Sequence, residues 1–116
     1  MIKQPSELIK EAQDCCNCIT EDVAKELFSN TDACVIIDVR ESREAEQSKL
    51  DRSINIPRGM LEMKIQEHCP DASKTIIIHC AGGGRATLAA ARLKEMGYLN
   101  VHAITAKYEA IKKTFG

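Results

Sequence analysis

The sequence has no apolar run near the ~20 residues that a bilayer-spanning helix needs. It has no block of one charge sign at either end, and no internal repeat, linker or low-complexity tract. With a formal charge of -1 it offers no footprint for nucleic acid or an anionic membrane surface. The opening MIKQPSELIKEAQ lacks the uninterrupted apolar core of a signal peptide, so a cytoplasmic protein is expected. Neither GxxxxGKS/T nor GxGxxG occurs, which removes the two common nucleotide-phosphate loops.

Its 116 residues fit one domain with a modest core. Cysteine is plentiful: Cys15, Cys16 and Cys18 cluster, while Cys34, Cys69 and Cys80 are dispersed. The regular apolar segments make staples unnecessary, so reduced thiols are expected rather than a secreted disulfide scaffold.

Apolar periodicity sets out the elements. Ser6 caps a helix to about Asp14, with Leu8, Ile9 and Ala12 on one side, and a brief extended segment follows at Cys18 and Ile19. Thr20 caps a helix to about Ser29 that turns Val23, Ala24, Leu27 and Phe28 to the core. Cys34–Val39 and Thr75–His79 are unbroken β-branched runs, the pattern of strands covered on both faces. Between them lie a charged stretch from Arg40 to Arg52, a short strand Ile54–Ile56 stopped by Pro57 and Gly59, and a helix over Leu61–His68. A helix over Ala86–Met96 presents Ala89, Leu93 and Met96 and ends at Gly97; a strand Val101–Ile104 and a helix Tyr108–Phe115 close the chain. This alternation predicts an α/β fold, a small parallel sheet with helices on both faces. Residues 1–18 read as an N-terminal helical extension.

The most informative junction is Cys80-Ala-Gly-Gly-Gly-Arg85, between a buried strand and a helix. Ligands of open α/β sheets bind beyond the carboxyl ends of the strands. Consecutive glycines let backbone N–H groups turn inward as an anion nest at a helix start. A thiolate on Cys80 has its charge stabilised there. His79 precedes it in a strand, so alternation sends the imidazole to the opposite face, against a Cys–His couple.

In this setting the chain resembles the rhodanese family over roughly Ile19 to Ile111. Asp38-Val-Arg-Glu41 with Glu44 is similar to the family's DVRExxE segment, and Ile54-Asn-Ile-Pro57 to its INIP. Ile77-Ile-His-Cys80 with Gly83 and Arg85 resembles the active-site strand and CxxGxR loop; Met96-Gly-Tyr98 and Asn100-Val101 resemble the elements that follow. The resemblance implies a sulfurtransferase in which Cys80 takes sulfane sulfur from thiosulfate, a polysulfide or a persulfide and yields it to a thiol or cyanide. It implies that Ala81, Gly82, Gly83, Gly84 and Arg85 cradle the anion or persulfide, with Arg85 also a catalytic residue beside Cys80 that orders the loop and favours anions. Asp38, Arg40 and Arg58 are then supporting residues, with Asp38 and Arg40 equally compatible with scaffolding. It calls for no metal or organic cofactor. The expected partners are a small sulfur donor and a thiol acceptor, on a small molecule or a protein, with no nucleic acid and no membrane.

Four residues separate Cys80 from Arg85, as in sulfurtransferases. Related dual-specificity phosphatases have a loop one residue longer. The sequence also departs from the family. The usual GHIPGA stretch reads Ser48-Lys-Leu-Asp-Arg-Ser53, and the usual Gly-Gly-aromatic-x-Ala-Trp reads Ala106-Lys-Tyr-Glu-Ala-Ile111. Ile111 can fill the core volume of an aromatic, whereas Ala106-Lys107 alters a loop expected near the active site. With no cation before Arg85 in the loop, a less charged persulfide is expected to serve better than thiosulfate. These departures leave a non-catalytic rhodanese-like binding or regulatory module as the alternative reading.

Cys34 reads as a core residue. Cys15, Cys16 and Cys18 allow three readings: part of a zinc site with His68 and Cys69, a resolving thiol for Cys80, or ordinary half-buried cysteines.

Overall fold

A computed structural model describes all residues 1–116. The elements run α1 (Pro5–Gln13), β1 (Asn17–Ile19), α2 (Glu21–Asn30), β2 (Val35–Asp38), α3 (Ser42–Gln47) and β3 (Ser53–Asn55). A short 3-10 turn (Arg58–Met60) then leads into α4 (Leu61–His68), β4 (Thr75–His79), α5 (Gly84–Met96), β5 (Asn100–Ile104) and α6 (Tyr108–Phe115). The five strands form one all-parallel sheet in the order β1-β5-β4-β2-β3. The expected α/β architecture is what the chain adopts.

Strand alternation divides the core in two. Ile37, Ile76, Ile78, Val101 and Ala103 point to the face covered by Leu61 and Ile65 of α4 and by Ala86, Ala89, Ala90 and Leu93 of α5. Ile36, Ile77 and Ile104 point to the other face, under Ala24 of α2, Leu50 and Ile111 of α6. Ile111 is fully buried where the family has an aromatic. Both faces of β2 and β4 are thus dry, which is why their sequences lack polar alternation. No helix is long and apolar enough to cross a membrane.

Several boundaries differ from expectation. α1 is capped by Gln4 rather than Ser6: Pro5 takes the first helical position and Glu7 reaches back to the Gln4 N–H. Val23 and Met96 are exposed rather than core-facing. In α5 the buried stripe is Ala86, Thr87, Ala89, Ala90 and Leu93, so Ala89 and Leu93 face the core as expected. Cys34 precedes β2 and is half-buried, not a strand residue. β1 is an edge strand of the sheet, so only α1 extends beyond it, packed on α5.

Candidate functional site

β4 delivers Cys80 to the carboxyl edge of the sheet, where the chain turns through Ala81–Gly83 into α5. Gly83 makes the turn possible. It has φ +97°, and a Cβ there would lie 2.7 Å from the Thr105 carbonyl oxygen. The turn points two backbone donors at one sulfur: Cys80 Sγ accepts the N–H of Gly83 at 3.0 Å and of Ala86 at 3.3 Å. Cys80 is 1% exposed, so the sulfur lies at the floor of the loop. The α5 N-terminus adds the positive end of its dipole. Backbone N–H groups held by the fold can stabilise a negative sulfur without a base beside it.

The loop is fixed from three sides. Thr87 donates its hydroxyl to the Gly83 carbonyl at 2.7 Å. Tyr108 N–H donates to the Ala81 carbonyl at 2.9 Å, so the altered 106–111 segment does adjoin the loop. On the third side Ile9 of α1 lies against Gly84, where an added Cβ would come within 3.0 Å of Ile9 Cδ1.

Arg85 turns toward α3. Its guanidinium bonds both carboxylate oxygens of Glu44, at 2.7 and 3.1 Å. This hydrogen bonding holds the Glu44 carboxyl down at about 2 and raises the Arg85 guanidinium. Glu44 also accepts the Glu41 N–H at 2.8 Å, closing a capping box at the start of α3. Glu44 belongs among the site residues and was not counted with them from sequence; its place at the end of the DVRExxE-like segment was the available signal. Nothing comparable marked Thr105, whose approach to Gly83 is a tertiary contact.

Asp38 and Arg40 form a buried pair beneath the loop. The Asp38 carboxylate takes the Arg40 backbone N–H at 2.9 Å, Nε at 3.1 Å and a guanidinium N–H at 2.8 Å. Burial opposes the Arg40 charge, and the hydrogen bonds it donates to Asp38, together with the negative charges around it, more than restore it. Arg40 also donates to the Ser48 carbonyl at 2.6 Å and lies 4.0 Å from the centroid of the Tyr108 ring. The same Tyr108 ring stacks on His79 at 6.0 Å. The imidazole therefore does face away from Cys80, into the α6 side. It is fully buried with neither ring nitrogen bonded, and burial lowers its basicity. The Arg58 guanidinium bonds Glu62 at 3.0 Å.

Among the other cysteines, Cys69 is buried at the end of α4 and His68 is exposed. No three side chains of metal-ligating type come together.

Known proteins share this fold. The model of the rhodanese-like domain matches residues 20–114. A Schizosaccharomyces pombe protein provisionally named as a mitochondrial thiosulfate sulfurtransferase is 32% identical over 78 residues, 58% of this chain. The match spans only 55% of that relative's length. Among solved structures, a Rhodopseudomonas palustris protein of unknown function, for which tyrosine phosphatase activity has been suggested, superposes with TM-score 0.84 at 31% identity. That match covers 100% of this chain and 94% of the other. An E. coli rhodanese solved with anions gives TM-score 0.64 at 30% identity, over 68% of this chain and 92% of its own. With four strands, Glu44 and the whole Cys80 loop inside the matched residues, this chain belongs to the rhodanese-like domain family.

Proposed function

We propose that this chain moves sulfane sulfur through a persulfide on Cys80. The observation that carries the reading is the pair of N–H groups, from Gly83 and Ala86, aimed at Cys80 Sγ. Cys80 thiolate attacks the outer sulfur of the donor, the donor's S–S bond breaks, and sulfite or a thiolate leaves with the electron pair. The new terminal sulfur lies in the glycine loop, stabilised by backbone dipoles. An acceptor thiolate then takes that sulfur and restores the Cys80 thiolate.

Donor charge follows from the pairing of the nearby cations. Arg85 is neutralised by Glu44 and Arg40 by Asp38. A dianion such as thiosulfate gains little from guanidinium groups already held, so a persulfide or polysulfide of lower charge is the favoured donor. The acceptor is a thiol, on a small molecule or a protein. A phosphatase reading, suggested for the Rhodopseudomonas palustris protein, has the geometry of the loop against it. Four residues lie between Cys80 and Arg85, and Arg85 bonds Glu44 instead of capping the loop.

The test is intact mass after exposure of reduced protein to thiosulfate and, separately, to glutathione persulfide, beside Cys80→Ser. One added sulfur that requires Cys80, and that cyanide removes as thiocyanate, supports the mechanism. A folded wild type that gains no sulfur from either donor would overturn it and leave the non-catalytic binding module as the better reading.

A further inference from the structure

The segment between β5 and α6 forms a second wall of the Cys80 loop and touches it at both ends. A Cβ on Gly83 would lie 2.7 Å from the Thr105 carbonyl oxygen, and the Tyr108 N–H donates to the Ala81 carbonyl at 2.9 Å. Ala106 and Lys107 are held between these two contacts. They stand where the sequence departs from the Gly-Gly usual in the family. Ala106 is half-buried and packs on the α6 side of the core, whereas Lys107 is exposed. Lys107 is therefore a solvent-facing side chain on the rim of a loop whose floor is Cys80 Sγ.

Its charge is free. The Lys107 ammonium makes no ion pair, whereas Arg85 is held by Glu44 and Arg40 by Asp38. Lys112, on the same helix, donates to the Lys49 and Gly116 carbonyls toward the other end of α6.

We propose that Lys107 binds the carboxylate of a low-molecular organic persulfide, and so selects donors whose negative charge lies several bonds from the reacting sulfur. This deepens the persulfide reading of Cys80 and rests on it.

Depth decides which anions gain. Cys80 is 1% exposed, so a donor must deliver its sulfur to the floor of the loop. In thiosulfate the charge sits on the sulfonate bonded directly to that sulfur, and it follows the sulfur down to where the guanidinium groups are already paired. In the persulfide of an amino-acid or peptide thiol, the carboxylate stays behind at the rim. Lys107 meets only the second kind of charge. A compact ammonium on a flexible stem suits this task, because it can follow carboxylates of different reach. The pair forms in water, so it sets a preference among donors and adds little to affinity outright.

The experiment compares two donors of one shape, the persulfides of β-mercaptopropionate and of its neutral amide. Initial rates of sulfur loading are read from the mass of tryptic segment 75–85, in which Cys80 is the sole cysteine. At low salt the wild type should load from the acid about fivefold faster than from the amide, the effect of one exposed charge pair. Lys107→Gln should bring the two rates together by slowing the acid alone, with loading from thiosulfate unchanged. Lys107→Arg should keep most of the preference, and salt near ~1 M, where the Debye length is about 3 Å, should remove most of it. A preference that survives Lys107→Gln, or a parallel loss of rate with the amide or thiosulfate, would overturn the role of Lys107 and leave the Cys80 persulfide standing. No sulfur on segment 75–85 from any donor would overturn the Cys80 reading, and the role of Lys107 with it.

Discussion

Glu44 on α3 grips Arg85 on α5 through both carboxylate oxygens, joining the far side of the sheet edge to the helix that carries the Cys80 loop. Both side chains are about one-third exposed, at 36% and 35%, so solvent screens the pair and its contribution to stability is roughly 1 kcal/mol. The Glu44 carboxyl, held at about 2 against an ordinary 4.5, contributes fully above pH 4.5. That contribution is lost as pH falls toward the folded value.

Glu44→Gln frees the guanidinium next to the loop. The expected outcome is a rise of roughly fivefold in the ratio of kcat/KM for thiosulfate to that for glutathione persulfide, the equivalent of about 1 kcal/mol. Steady-state kinetics with both donors measures it. An unchanged ratio would show that Arg85 plays no part in donor charge selection.

Gly83 and Gly82 are neighbours with opposite tolerance. Gly83→Ala forces a side chain into the left-handed region and against the Thr105 carbonyl. The expected cost is about 2–4 kcal/mol, with sulfur loading of Cys80 abolished because the Gly83 N–H leaves the sulfur. Gly82→Ala meets nothing within 4 Å and should change stability by less than about 0.5 kcal/mol. Urea unfolding and persulfide mass measurements on the two variants give the comparison. Equal behaviour of the pair would remove the argument for a shaped loop.

What the sequence made legible was whatever depends on local pattern. Unbroken β-branched runs marked β2 and β4 because both faces are covered, and the glycine loop announced the junction after β4. Tertiary choices were hidden. Alternation put His79 on the far face from Cys80, but only the fold shows Tyr108 stacked over it. Arg85 read as a loop cation because spacing cannot reveal Glu44, 41 residues earlier in the chain, waiting on α3. Periodicity places Met96 in the core with Ala89 and Leu93, yet the buried α5 stripe ends at Leu93 and the helix end emerges into solvent.

His79 makes the fold acid-sensitive. The buried imidazole faces Tyr108 from α6 and Asp38 and Arg40 from the carboxyl end of β2, and Asp38 is already engaged by Arg40. Its folded pKa is lowered, chiefly by burial, so the unfolded chain binds a proton first as pH drops through ~6.5. Stability is full above that value and declines below it. His79→Phe keeps a ring beside Tyr108 and removes both unbonded nitrogens. The Tm of the variant should fall less between pH 7 and 5 than that of the wild type, the remaining slope coming from His102, whose imidazole burial also makes less basic; parallel curves would assign the acid sensitivity elsewhere.

Asp38 and Arg40 test whether the motif beneath the loop is scaffold or chemistry. The pair is nearly solvent-free, at 0% and 6% side-chain exposure, and it anchors the Ser48 carbonyl and supports Tyr108. Removing one partner leaves a buried charge, so Asp38→Ala should cost about 3–5 kcal/mol. Replacing both, as Asp38→Leu with Arg40→Met, removes the stranded charge and should recover at least half of that loss. Loading of Cys80 by glutathione persulfide, measured on the double variant at a temperature where it is folded, then separates the roles. Loading near the wild-type rate assigns the pair to scaffolding. A rate at least tenfold lower in a stable double variant would mean that the Tyr108–Ala81 contact needs this charge pair to hold the loop in its donor-ready shape.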